Sequence, residues 1–200
     1  MNLDEIVGDI ADLRIEHDPP EEAQSIGSIF TNYEMVKQRL EIHLCDMELN
    51  RDKLKNQVYT EQGDFAATYH IKIGGDGMLR GSAAVTPNLL KGWGITEEQL
   101  REDSLRAEHS KGAVFTDIEE LVAEKTFGLK STNLLDKQND IIDNGDGFSL
   151  YCLTCEDYRY GASMILREDV MDKVSKLMGG DFYILPSSIC LLYTSPSPRD

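Results

Sequence analysis

The chain is short of positive charge: 20 Lys and Arg stand against 36 Asp and Glu, a formal net charge of −16. Gripping a phosphate backbone requires clustered Lys and Arg, and so does electrostatic attachment to an anionic membrane. The deficit therefore weighs against nucleic acid and against membrane as partners. Long apolar runs are missing as well, since nothing approaches the roughly 20 residues that cross a bilayer. Met1-Asn2-Leu3-Asp4-Glu5 is acidic where a secretory leader would be basic. There is no Asn-x-Ser/Thr acceptor. The four cysteines, Cys45, Cys152, Cys155 and Cys190, are too few and too unevenly placed for a disulfide framework. Taken together, these absences make the cytoplasm the expected location.

What remains is ordinary globular material, 200 residues that are 40% hydrophobic and 28% charged, enough for one domain with a core. Leu3, Ile6, Ile10 and Leu13 recur at helical spacing and predict an amphipathic helix ended by Asp18-Pro19-Pro20. Thr31-Asn32-Tyr33-Glu34 has capping-box spacing. With the stripe Tyr33, Val36, Leu40, Leu44 and Met47, it predicts a helix to Asn50. Residues 1–50 thus read as helical. From 64 to 109 the order is strand, strand, helix. Asp64–Ile73 and Met78–Val85 are the strands, with Gly74-Gly75-Asp76-Gly77 between them as a hairpin turn. Thr86-Pro87 starts a short helix broken around Trp93. Thr96 and Gln99 then make a capping box, with Ile95 and Leu100 as its hydrophobic staple, and the helix runs to His109. Ile118–Phe127 is one more helix. From 148 to 185 the order is strand, strand, helix, strand: Phe148–Thr154, Tyr160–Leu166, Glu168–Met178 capped by Gly179, and Phe182–Leu185 halted by Pro186. The expectation is a single α+β domain of hairpin-paired strands with helices packed on one face.

Candidate chemistry is sparse. Cys152-Leu153-Thr154-Cys155 has the spacing of half a zinc site or a thiol-exchange pair. No second pair accompanies it, and residues three apart on a strand point to opposite faces. His43 and Cys45 fall on different faces of the predicted helix, and His17, His70 and His109 are scattered. Gly74–Gly77 lacks the Lys-Ser/Thr of a phosphate loop. The acidic stretch Asp140–Gly147 lacks the glutamate that closes a calcium loop. Trp93 reads as a core anchor. We assign no catalytic, cofactor-binding or metal-binding residue.

Several segments resemble one family. Gly179-Gly180-Asp181-Phe182-Tyr183-Ile184-Leu185-Pro186-Ser187-Ser188-Ile189 looks like the signature of an uncharacterised bacterial family, domain of unknown function 5688. Val85-Thr86-Pro87-Asn88, Trp93-Gly94-Ile95-Thr96-Glu97-Glu98-Gln99-Leu100 and Gly161-Ala162-Ser163-Met164-Ile165-Leu166 resemble its other motifs. So do Asn2-Leu3-Asp4-Glu5-Ile6 and Arg14-Ile15-Glu16-His17. The resemblance implies a His-Glu pair and a further strand after Ile189, and a strand-containing segment before the first helix. The chain is therefore expected to be a fragment that lacks its terminal strand. It implies no activity or cofactor. Residues Cys190–Asp200, CLLYTSPSPRD, instead resemble a translated transposase library adapter. They are expected to be a non-native tail appended to an incomplete domain at 1–189.

The expected function is a non-catalytic module that binds an unidentified protein partner. The alternative is a hydrolase-like enzyme whose site lies near Ser187 and Ser188 and the segment that would follow Ile189.

Overall fold

The computed structural model describes residues 30–73, 81–137, 141–142, 149–179, 182–186 and 191–194. The predicted first helix, His17, the Gly74–Gly77 turn, residues 143–147 of the acidic stretch, and Ser187 and Ser188 lie outside them.

The architecture is α+β, built from two antiparallel sheets. In the first sheet the long strand β3 (Phe65–Ile73) is central. Along one side it pairs β1 (Leu40–Asp46). Along the other it pairs β2 (Tyr59–Gln62) and then β4 (Gly81–Ala84). Val58 N–H donates to the Val85 carbonyl and stitches β2 to β4. The second sheet runs β5 (Ala113–Asp117), β6 (Leu150–Cys155), β8 (Leu191–Thr194), β7 (Tyr183–Pro186).

The predicted helix through Asn50 is corrected. A helix spans Tyr33–Lys37 (α1), its N-cap is Asn32 rather than Thr31, and the chain then extends as β1. Leu40 and Leu44 fit a period of four and a period of two equally well. Ile42 decides, because it shares their buried face and leaves Glu41 and His43 on the other. A short helix α2 (Arg51–Leu54) leads into β2.

The local signals that follow hold. Thr86 caps α3 (Pro87–Trp93), with proline in the first turn. The Thr96 hydroxyl accepts from Gln99 N–H at the start of α4 (Glu97–His109). Asp117 caps α5 (Ile118–Phe127), and Gly179 ends α6 (Glu168–Met178) at φ 70°. Strand β5 had no forecast, being five residues between two helices.

The predicted strand Tyr160–Leu166 is corrected to a 3-10 helix, Gly161–Leu166. The chain folds back against the end of β6 so closely that a Cβ on Gly161 would stand 2.5 Å from the Thr154 Cα. That approach needs glycine and leaves no room for a strand.

Two apolar cores result. Val36, Ile42, Tyr69, Ile71, Val85 and Leu100 fill the first, under α4. Phe115, Leu153, Met164, Val170, Val174 and Leu177 fill the second, under α6. Leu44 packs against both and joins them.

Residues 191–194, set aside by sequence as foreign, lie as β8 between β6 and β7. A ladder is made by backbone groups that every non-proline residue carries, so the pairing carries no information on the segment's origin.

Candidate functional site

Chemistry-bearing side chains concentrate on the face of the first sheet that turns away from α4. The β1–β3 register sets Glu41 opposite His70 and His43 opposite Thr68, so all four share that face. The His43 ring stacks on His70 with centroids 3.7 Å apart and on Tyr160 at 3.5 Å, forming a three-ring column. His43 Nε2 lies 2.9 Å from the buried Glu41 carboxylate. Burial works to raise the Glu41 carboxyl, but the hydrogen bond and charge of His43, with Lys111 and Arg159, hold it below its ordinary value.

The tautomer of His70 follows from its neighbour. Thr68 Oγ1 donates its proton to the His43 carbonyl, so its 3.1 Å contact with His70 Nε2 is one in which the ring nitrogen donates. Burial, aided by His43, pushes His70 down to about 4, which keeps the ring neutral near pH 7.

Tyr160 reaches the column from a constrained turn. Tyr158 and Tyr160 both hold φ 54°, a left-handed conformation that costs a non-glycine residue roughly 1–2 kcal/mol. Neighbouring contacts hold the turn in place. Cys155 Sγ lies 2.8 Å from both Asp157 Oδ1 and the Arg159 carbonyl, and Tyr158 donates to Glu124 at 3.0 Å. Lys72 on β3 approaches Asp157 at 3.7 Å. Burial and Asp157 push the Cys155 thiol up to about 11, so it is a poor nucleophile here.

Behind the column lies Glu108, fully buried at the end of α4. Its Oε1 accepts from Ile42 N–H at 3.0 Å and from Lys111 Nζ at 2.7 Å, and its Oε2 from Ser163 Oγ at 2.8 Å. One carboxylate thus ties the free edge of β1 to the 3-10 helix of the second half.

On the other face of the sheet, a cleft of about 430 Å³ opens between β2–β3 and α4. Tyr69, Thr60 and Gln62 form one wall, Arg101, Leu105 and His109 the other, and Ile165 and Glu168 close one end. A more open groove of about 660 Å³ lies beside α2 and is lined by that local segment alone.

The residues singled out in the sequence are scattered. Cys152 and Cys155 are both buried on one unbroken strand, opposite Thr116 and Ala113, and so face opposite sides of the sheet. His43 and Cys45 are corrected: they lie on a strand, on one face, rather than on different faces of a helix. His109 sits in the cleft, 3.7 Å from Asp169. Trp93 is half-buried, packs on Tyr33 and donates to the Phe30 carbonyl at 2.7 Å. Among the described residues, no group of three or more His, Cys, Asp or Glu is placed to hold a metal ion. None of their helices is long and apolar enough to cross a membrane. Sequence reading missed the ring column and Glu108. The one available signal was a polar residue at every second position, Glu41-Ile42-His43 against Thr68-Tyr69-His70.

Two antiparallel sheets with helices against them define an α+β protein. The chain belongs to DUF5688, a family of unknown function, whose model matches residues 1–194. No curated protein and no solved structure matches it.

Proposed function

We propose that this protein is a non-catalytic cytoplasmic module that binds another protein, with α5 as its contact element. The carrying observation is that no side chain of α5 is fully buried, with Ile118, Leu121, Ala123 and Glu124 only half-buried. Val122, Phe127 and Leu129 are 56%, 75% and 60% exposed within one short stretch. Single exposed apolar residues are common, but a concentration of them marks an interaction surface. Polar contacts fix α5 in place. Glu120 accepts from Thr132 N–H, and Glu124 accepts from the Ser131 hydroxyl and N–H and from Tyr158. Those bonds from Ser131 draw Glu124 down to about 2. The acidic surface suits a partner whose apolar patch is ringed by Lys and Arg. The ring column supports the non-catalytic reading, because Tyr160 lies over His43 and Glu41 is already engaged by it.

The test places a photo-crosslinking amino acid at Phe127 in the native host. One discrete basic protein should be captured and then lost when Val122→Glu and Leu129→Glu are added, with thermal unfolding of the double variant unchanged. Products that are chaperones alone, or products indifferent to the two substitutions, would sink the reading. Unfolding of the double variant would show the face to be core.

A further inference from the structure

The cleft on the first sheet is separate from α5 and has a chemistry of its own. Arg101, Leu105 and His109 line it from successive turns of α4. Eight residues of helix make this wall about 12 Å long. Arg101 forms no ion pair or hydrogen bond among the described residues, although Glu97, Glu98 and Glu102 are its neighbours on the same helix. Arg101 is exposed and lines the cleft, so its guanidinium is open to a ligand there. It lies close enough to the Tyr69 phenol for its charge to oppose the burial that raises that group.

The Tyr69 and Thr60 hydroxyls are 2.5 Å apart. Two hydroxyls carry two protons, and their mutual bond uses one, so one O–H remains to donate to a ligand. Arg101 and that hydroxyl therefore offer donors to an anion, while the half-buried Leu105 and Ile165 offer apolar surface in the same cleft. Glu168 lines the cleft beside His109 and disfavours a second negative charge there. The volume is on the scale of small-ligand sites, roughly 300–1,000 Å³.

We propose that this cleft binds a monocarboxylate carried on a short aliphatic chain, with Arg101 as its counter-charge and the Tyr69–Thr60 pair as its second donor. A free aliphatic acid and the C-terminal leucine of a peptide present the same chemistry.

The experiment titrates the full chain with octanoate and with octanamide, following the methyl resonances of Leu105 and Ile165. A second arm uses an acetylated tripeptide ending in leucine, as the free acid and as the amide. Each acid should saturate those shifts and bind about fivefold or more tighter than its amide, the scale of one partly exposed charge pair. Arg101→Gln should abolish that preference while leaving amide binding and thermal unfolding unchanged. Stronger binding of octanoate assigns the site to a free acid, and stronger binding of the tripeptide acid assigns it to a chain terminus. Equal binding of acid and amide, an unaffected Arg101→Gln variant, or no shift with any ligand overturns the proposal.

Discussion

On the first sheet, the face turned away from α4 carries Glu41, His43, Thr68 and His70. On the second, the face turned away from α6 carries Val114, Thr116, Cys152 and Thr154. Both faces contain buried polar atoms, and they treat them differently. On the first, each of the four polar side chains has a partner, and a tyrosine from the second half stacks over them. On the second, the Thr116 and Thr154 hydroxyls have none among the described residues. A satisfied polar network fixes one arrangement of strands, whereas an unpartnered buried hydroxyl only costs stability. The first face therefore specifies how the halves meet, and the second is packing.

The sharpest way to break that contrast is to remove the carboxylate that joins the halves. Glu108→Ala would strand Ile42 N–H beside a buried hole, take the counter-charge from the partly exposed Lys111, and leave Ser163 Oγ only the Tyr160 carbonyl. Breaking a buried charged pair by deleting one member costs roughly 3–5 kcal/mol, and urea denaturation should register a loss of that size. A loss near 1 kcal/mol would mean that packing at Leu44 holds the halves together and Glu108 is incidental.

The cores can be compared directly. Leu100 and Leu153 are each fully buried, one per core. Leu100→Ala and Leu153→Ala should each cost about 2–5 kcal/mol. Trp93 is the single tryptophan and reports on the first half, so its fluorescence should unfold together with far-ultraviolet dichroism in both variants. Separate transitions would show that the halves fold as two units.

What the sequence made legible was local. Thr96 with Gln99, Thr86-Pro87 and Gly179 each act within four residues of themselves, and each marked a true helix boundary. The strand at Asp64–Ile73 was legible for the same reason, from its run of β-forming residues. Leu40 and Leu44 misled because their spacing serves helix and strand alike, and the deciding partner, β3, lies more than twenty residues away. The segment 161–166 misled because a run of small and apolar residues says nothing of Gly161 lodging against Thr154. The ring column was invisible because it depends on the β1–β3 register and on a left-handed turn, neither of which has a sequence motif. Glu108 looked like one more helix-surface acid in a chain with 36 acidic residues. Only the tertiary fold buries it, as it buries Glu41 and Asp103.

The stack also predicts a pH dependence. His70 titrates near 4 in the fold and near 6.5 when unfolded, so between those values the unfolded chain binds the extra proton. Its contribution to stability is fully present above about pH 6.5 and is lost as pH falls toward 4. The Glu41, Asp103 and Asp157 carboxyls are held below their ordinary values, so their contributions are lost at lower pH still. Urea midpoints measured from pH 7 to 4 should fall, and His70→Gln should flatten that slope while lowering stability at pH 7. An unchanged slope would mean that the column does not hold His70 neutral.

The smallest expected effect has the opposite sign. Thr116 is fully buried and its hydroxyl finds no acceptor among the described residues, so in the folded chain it has given up water without replacement. Valine has nearly the same shape and no polar atom to desolvate. Thr116→Val should therefore stabilise the protein, by up to about 1 kcal/mol, the low end of the range for an unsatisfied buried group. On the first sheet the same exchange at Thr68 should destabilise by about 1 kcal/mol or more, because His70 Nε2–H would lose its acceptor, while the His43 carbonyl keeps its ladder bond. Equal signs for the two substitutions, measured as urea midpoints in parallel, would erase the distinction between a specifying face and a packing face. Opposite signs would locate the polar information of this fold on β1 and β3, where the two halves meet.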